Sequence, residues 1–442
     1  MVMSMANGLS NGVNGVKHSR PLAPGIWAPV PTFFLQGSEE LGEPTVLCFL
    51  AGAQDVPLGL AAQTSKTNPS GLSSPPRSES KLESARGLTP DLVLDCLFLF
   101  RRRQFQSRLD LATFKRHVLY LAKSGMGILL CGSMGEAHHL EDSERVLLIR
   151  TARQALDAAG FRDAPIIAGT GVGSTRKTIE LTRQAAEAGA DYAIVIASGY
   201  YAGALDYPAL KTFFLEVAEA SPIPIMIYNY PGAAGGIELD SDIIESIAKE
   251  SSNICGVKLT CGNVGKLVRI ATATAVPSFD KLYPRRNKDA PFLVLGGFAD
   301  FILPSAFARA HGAIAGLGNV APRSLVRLTQ LSFAAVNDPT LLPEAQRIQD
   351  IVAAGDRTIA LGGIAGTKFL LEKLLGYGGA PRRPMLRLTK EREEALWQHK
   401  NVQALVELER TLEREAMVKM TPSIALNTNG ADRASREVSA FA

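Results

Sequence analysis

The chain predicts an α/β protein, a (β/α)8 TIM barrel with a C-terminal helical extension, on three observations. Short apolar runs rich in Ile, Val and Leu recur from Ile128 onward, as parallel strands buried on both faces require. Stretches with apolar residues at three- and four-residue spacing separate these runs. With one more run near the start they make eight βα units in about 300 residues, the size of a closed barrel. A doubly wound open sheet is the alternative, and the lack of a GxGxxG after the first strand ranks it lower.

The first strand is Ile26–Phe33. After it the pattern breaks. Gly42 to Leu109 is rich in Ser, Pro, Gly and Arg, and its one apolar patch, Leu92–Phe100, runs into Arg101-Arg102-Arg103. A structureless loop of this length does not suit a compact domain. Deleting it joins Ser38-Glu39-Glu40-Leu41 to Asp110-Leu111-Ala112-Thr113-Phe114, a loop leading into an Asp N-cap and an amphipathic helix through Lys123. The segment reads as a retained intron carried into the protein sequence, with a genuine disordered insertion as the alternative. The mature transcript distinguishes the two.

The remaining strands are Ile128–Cys131, Pro165–Gly169, Tyr192–Ala197, Ile223–Tyr228, Ile254–Lys258, Phe292–Leu295 and Ala313–Gly316. Helical periodicity is clear in Ser143–Ala159, Thr175–Ala188, Ala209–Glu219 and Ser241–Lys249. Beyond the eighth strand, Pro343–Ala354, Ile364–Leu375 and Lys390–Lys419 read as helices, punctuated by Pro381 and Pro384. The organisation expected is a disordered tail at 1–20, a barrel at 21–340 interrupted by 42–109, C-terminal helices at 341–420, and a disordered tail at 421–442.

Composition excludes several classes. Hydrophobic residues make up 46% and charged residues 20% of the 442, the balance of a soluble globular protein. A net charge of +4, without a Lys/Arg stripe, argues against a nucleic-acid partner. No apolar run approaches the roughly 18 residues of a membrane span, so no membrane partner is expected. Cys48, Cys96, Cys131, Cys255 and Cys261 form no CxxC pair, which argues for a reducing compartment and against a zinc site. The N-terminal stretch has no apolar core, so it is no secretory signal. It lacks acids and carries Lys17 and Arg20. A cytoplasmic protein is expected, with a mitochondrial transit peptide as the alternative.

Three motifs fall at strand C-terminal ends, where a barrel builds its active site. Lys258 closes the apolar run Ile254-Cys255-Gly256-Val257. Burying an ammonium is expensive, so a lysine here is either snorkelling to solvent or kept for its neutral amine, which attacks carbonyls to form a Schiff base. Gly132-Ser133-Met134-Gly135-Glu136 follows the second strand, and such a turn offers backbone N–H groups and a hydroxyl to a carboxylate, although Gly-Ser turns are common. Tyr228-Asn229-Tyr230-Pro231-Gly232 ends the fifth strand, and Tyr228 is either a proton relay or a structural tyrosine. His138-His139 resembles a metal pair, but adjacent side chains diverge, and loop-packing histidines are the simpler reading. Gly169-Thr170-Gly171-Val172-Gly173-Ser174 resembles a phosphate loop without its GKS/T ending.

Together and in this order the motifs resemble the pyruvate-dependent class I aldolases of the dihydrodipicolinate synthase / N-acetylneuraminate lyase family. Trp27-Ala28-Pro29-Val30-Pro31-Thr32-Phe33-Phe34, Glu144-Arg145, Gly318-Asn319 with Pro322, Gly376, and Pro381-Arg382-Arg383-Pro384 carry the resemblance further. It implies that Lys258 forms an iminium with pyruvate or another 2-oxo acid. It implies Tyr228 as proton relay, Ser133 as relay hydroxyl, and Tyr201 as the tyrosine lent to a neighbouring subunit. The backbone of Ser133 and Met134 would hold the pyruvyl carboxylate, and the Gly296-Gly297-Phe298 turn, with Gly296 as a binding residue, would line the distal pocket beside Ala233, Ala234, Gly235 and Thr260. No metal or diffusible cofactor is implied. The partners implied are a small 2-oxo acid, an aldehyde, and further copies of the chain in a dimer or homotetramer.

Two departures narrow the expectation. Relatives that make dihydrodipicolinate resemble one another in an Arg after the Tyr-Asn motif, whereas this chain has Pro231-Gly232-Ala233-Ala234-Gly235-Gly236. Met134 stands where Thr or Asn is usual. The resemblance that remains is to 4-hydroxy-2-oxoglutarate aldolases and 2-keto-3-deoxy sugar-acid aldolases. A dihydrodipicolinate synthase-like or hydratase-aldolase activity, or a non-catalytic barrel that binds 2-oxo acids, is the alternative.

Overall fold

The computed structural model describes residues 20–35 and 109–420. The expected disordered tails and nearly all of the 42–109 insertion lie outside these residues. The chain divides into two units, Met1–Phe33 with Asp110–Ala442, and Phe34–Leu109. In the first, the residues flanking the second meet directly: the Asp110 N–H donates to the Phe33 carbonyl at 2.9 Å.

The first unit is the (β/α)8 barrel expected from the sequence. Its strands are β1 (Gly25–Pro29), β2 (Gly127–Leu130), β3 (Ile166–Gly169), β4 (Tyr192–Ile196), β5 (Ile225–Asn229), β6 (Ile254–Leu259), β7 (Leu293–Gly296) and β8 (Gly312–Ile314). They pair in sequence order, all parallel, and β1 closes onto β8. Alternate residues point inward, so Trp27, Leu129, Ile167, Ile194, Met226, Leu293 and Ile314 fill the lumen as one apolar cluster.

One irregularity in this sheet governs the chemistry. Ile225 pairs with Ile254, but the next residue, Met226, pairs with Gly256. Cys255 is therefore an extra residue, a β-bulge that reverses which face every later residue of β6 presents. Gly256 has φ of +152°, and a Cβ there would lie 2.3 Å from the Leu293 carbonyl oxygen. Glycine meets both demands.

Around the barrel run α1 (Leu111–Lys123), α2 (Asp142–Ala158), α3 (Thr175–Ala188), α4 (Tyr207–Ala220) and α5 (Ser241–Glu250). Asp110 caps α1 by accepting the Thr113 N–H at 3.0 Å. Then follow α6 (Val264–Thr274), α7 (Pro277–Leu282), α8 (Ile302–Phe307) and α9 (Pro322–Ala335). The C-terminal helices are α10 (Leu342–Ala360), α11 (Gly363–Leu375), α12 (Lys390–Gln398) and α13 (Lys400–Met420). The single helix expected over Lys390–Lys419 is thus two, broken where His399 turns extended at ψ 127°. Among the described residues no helix is long and apolar enough to cross a membrane.

His117 of α1 locks the barrel to the C-terminal segment. Asn319 donates to the Pro29 and Gly316 carbonyls, both at 2.9 Å, so its Oδ1 accepts from His117 Nε2 at 3.0 Å. Nδ1 is left as the acceptor for the Tyr377 hydroxyl, also at 3.0 Å. Burial, the main cause, lowers the imidazole from 6.5 to about 4. The unfolded chain then takes up a proton that the folded chain refuses as pH falls from 6.5 to 4. This one group should remove about 3 kcal/mol of stability across that window, and none above it. Urea unfolding at pH 7 and pH 4.5 checks this. His117→Gln should lose less stability on acidification than the parent, and an equal loss would remove His117 as the cause.

Candidate active site

The C-terminal ends of the strands surround a cavity of about 350 Å³. Lys258 lies in its wall, 5% exposed. The bulge brings Lys258 opposite Tyr228 on β5 and Leu295 on β7, all facing inward. Its Nζ sits 4.3 Å from the centroid of the Tyr228 ring. Tyr228 in turn stacks on Tyr230 at 5.7 Å between centroids. The Tyr230 phenol is pushed above its ordinary value, first by burial and then by Tyr228 beside it.

Lys266 and Lys368 are also buried, but each has a carboxylate partner: Glu238 at 2.6 Å and Glu136 at 2.5 Å. Lys258 has no carboxylate within 4 Å among the described residues. A buried amine without a counter-ion, open to a cavity, has the setting of a nucleophile.

The Gly132–Glu136 turn forms the opposite wall, and Ser133 and Met134 line the cavity. Two non-glycine residues with positive φ bracket it, Cys131 at 52° and Glu136 at 55°. The turn is held from below, since Thr32 donates to the Gly135 carbonyl at 2.7 Å. Its own amides are spent at Glu136 and Ala137, which donate back to Ser133 and Gly132. Among the described residues the Ser133 and Met134 N–H groups have no acceptor, which leaves two donors for a carboxylate.

Glu136 explains how such a turn persists. Its fully buried carboxylate takes Lys368 Nζ of α11 on one oxygen and the Arg382 N–H, at 2.6 Å, on the other. The Arg382 guanidinium grips Glu144 of α2 with two hydrogen bonds of 2.7 Å and adds one to the His139 carbonyl at 2.6 Å. Sequence reading missed Lys368, although the signal resembled the one that exposed Lys258: a lysine abutting an apolar run, Phe369-Leu370-Leu371. Glu136→Gln would leave the buried ammonium without its counter-ion, a change that costs about 3 kcal/mol. Denaturant unfolding at neutral pH should show that loss, and a variant as stable as the parent would contradict a structural role for the pair.

Other expected site residues fall differently. Gly296 is not among the residues lining the cavity; Gly297 and Phe298 are. Strand alternation is the reason, because Leu295 pairs with inward Lys258 and Gly296 with outward Leu259. Ala233, Ala234 and Gly235 are likewise absent from the lining. Ala234 instead packs against Gly199, where a Cβ would come within 2.7 Å of its Cα. The C-terminal helices take that place, with Asp356 and Ile359 of α10 and Ile364 and Thr367 of α11. Tyr201 is 67% exposed and stands outside its own cavity, edge-on to Tyr200. His138 lines the cavity mouth, its imidazole lowered chiefly by burial.

Comparison with known proteins gives a consistent picture. The profile of the dihydrodipicolinate synthetase family matches residues 103–404. An L-threo-3-deoxy-hexylosonate aldolase of Hypocrea jecorina is 40% identical over 305 residues, spanning 69% of this chain and 92% of that protein. A "Probable 4-hydroxy-2-oxoglutarate aldolase, mitochondrial" of Emericella nidulans is 41% identical over 331 residues, spanning 75% and 99%. Among solved structures, a dihydrodipicolinate synthase family protein from Coccidioides immitis superposes with a TM-score of 0.62 at 28% identity, covering 89% of this chain and 99% of that one. A prophage protein of the same family from E. coli K12, solved in complex with pyruvate, gives 0.57 at 27%, covering 70% and 94%.

Proposed function

The chain belongs to the dihydrodipicolinate synthetase family, and on that premise we propose that it is a pyruvate-dependent class I aldolase whose Schiff-base residue is Lys258. The single observation that carries the assignment is Lys258 itself, the cavity-facing lysine with no carboxylate partner among the described residues.

In the cleavage direction the neutral Lys258 amine adds to C2 of a 4-hydroxy-2-oxo acid. Loss of water leaves an iminium, which withdraws electrons from the bond between C3 and C4. Tyr228, whose ring lies against the amine, takes the proton from the C4 hydroxyl as that bond breaks. An aldehyde departs and an enamine remains. Protonation at C3 and addition of water at C2 then release pyruvate and restore the amine. The Ser133 and Met134 amides hold the carboxylate throughout, and the Ser133 hydroxyl extends the proton path. Exposed Tyr201 suits contribution to a neighbouring copy of the chain, as a dimer or tetramer requires.

The names of the relatives, and the absence of an Arg after Tyr228-Asn229, favour 4-hydroxy-2-oxoglutarate or a 2-keto-3-deoxy sugar acid over the substrates of lysine synthesis. Borohydride reduction in the presence of pyruvate tests the assignment. A reduced pyruvyl adduct on the Lys258 peptide is the expected result, and folded protein that takes up no adduct would overturn it.

A further inference from the structure

The cavity holds a group that the mechanism above does not use. Asp356 of α10 lines it at 6% exposure. Its Oδ2 accepts the Ala299 N–H at 2.7 Å. Gln349 of the same helix clamps this turn too, accepting from Leu303 at 2.8 Å and donating to the Ala299 carbonyl at 3.0 Å. The carboxyl group is therefore fixed on the cavity wall.

The turn that Asp356 anchors also abuts Thr260, two residues past Lys258: a Cβ on Gly297 would fall 2.0 Å from Thr260 Oγ1. Thr260 lines the cavity, while its hydroxyl oxygen is buried under that turn and has no hydrogen-bond partner among the described residues. Among the described residues the cavity lining contains no arginine, and Lys258 and His138 are its only basic side chains.

The charge balance follows. One substrate carboxylate, the one beside C2, is served by the iminium and by the Ser133 and Met134 amides. A second carboxylate, as in 4-hydroxy-2-oxoglutarate, would find no cation among the described residues and would face an acid. A substrate hydroxyl would find Asp356, which is able to pair with it. Resting on the aldolase reading, we propose that Asp356 is the acceptor-selecting residue, and that it directs the enzyme to hydroxylated aldehydes without a carboxylate and away from glyoxylate.

The ionisation of Asp356 gives a second readout. Burial, the principal cause, raises its carboxyl group to about 6, and the Ala299 N–H opposes the rise. Asp300 in the same turn is the charged side chain that acts on it directly, and is itself raised by burial while Arg357 on α10 draws it down. Across the cavity lie Lys258, Tyr228, Tyr230 and His138. Asp356 is neutral below pH 6 and anionic above it, so discrimination against glyoxylate should strengthen as pH rises through about 6.

The experiment measures kcat/KM for condensation of pyruvate with D- or L-glyceraldehyde and with glyoxylate, from pH 5 to 8, on the full chain. Expected are a glyceraldehyde preference of at least tenfold at pH 7.5, a smaller preference at pH 5, and at least a tenfold rise in the glyoxylate-to-glyceraldehyde ratio in Asp356→Asn. A glyoxylate preference in the parent at pH 7.5 overturns the proposal, as does a ratio unchanged by both pH and substitution. If the variant does not fold, the pH dependence of the parent's ratio decides alone. Borohydride trapping separates the two readings. An adduct on Lys258 with the wrong acceptor preference defeats only the role of Asp356, and no adduct defeats both.

Discussion

Lys258→Ala is expected to abolish turnover and all borohydride-dependent attachment of pyruvate, with the barrel intact. The substitution removes the cavity-facing amine that forms the iminium, and among the described residues no other buried lysine is free to replace it. Lys266 is held by Glu238 and by the Leu239 carbonyl, and Lys368 by Glu136 and the Ala380 carbonyl at 3.0 Å. Folding should survive because Lys258 has no ion pair to lose among the described residues, and an alanine removes a polar group that is costly to bury. Intact mass after trapping, circular dichroism and an assay for pyruvate release check the three parts together. Residual turnover, or an adduct on another peptide, would end the assignment of Lys258.

Tyr228→Phe should slow the reaction by roughly 10²–10⁴-fold, the range for a lost acid–base group, while trapping of pyruvate persists. The hydroxyl is the only group removed. The ring remains to support Lys258 at 4.3 Å and to stack on Tyr230. Iminium formation and carbon–carbon cleavage are thereby separated, and a single-turnover measurement resolves them. A variant that cleaves as fast as the parent would place the proton relay elsewhere, with Tyr230, also in the cavity lining, as the next candidate.

These two residues show what the sequence determined by itself. Parallel strands buried on both faces must be short and apolar throughout, so β3, β4 and β6 are legible as runs, their ends set within one or two residues. A lysine at the end of such a run stands out because its burial needs a reason. The Asp110 cap and the helix after it were legible because local hydrogen bonding forms them. The break at His399 was not, since apolar periodicity continues across it.

Tertiary structure alone decided which side chains share the cavity. Local spacing would put Lys258 on the face of Ile254, away from Tyr228, and only the bulge at Cys255, seen as pairing between neighbouring strands, turns it inward. Gly297 replaced Gly296 for the same reason of register. Glu136 finds Lys368 and Arg382, and Asp356 finds the turn after β7, across long stretches of chain. Periodicity reports the faces of one element, whereas a site is made where faces of distant elements meet, and only the closed barrel with its C-terminal helices fixes that meeting.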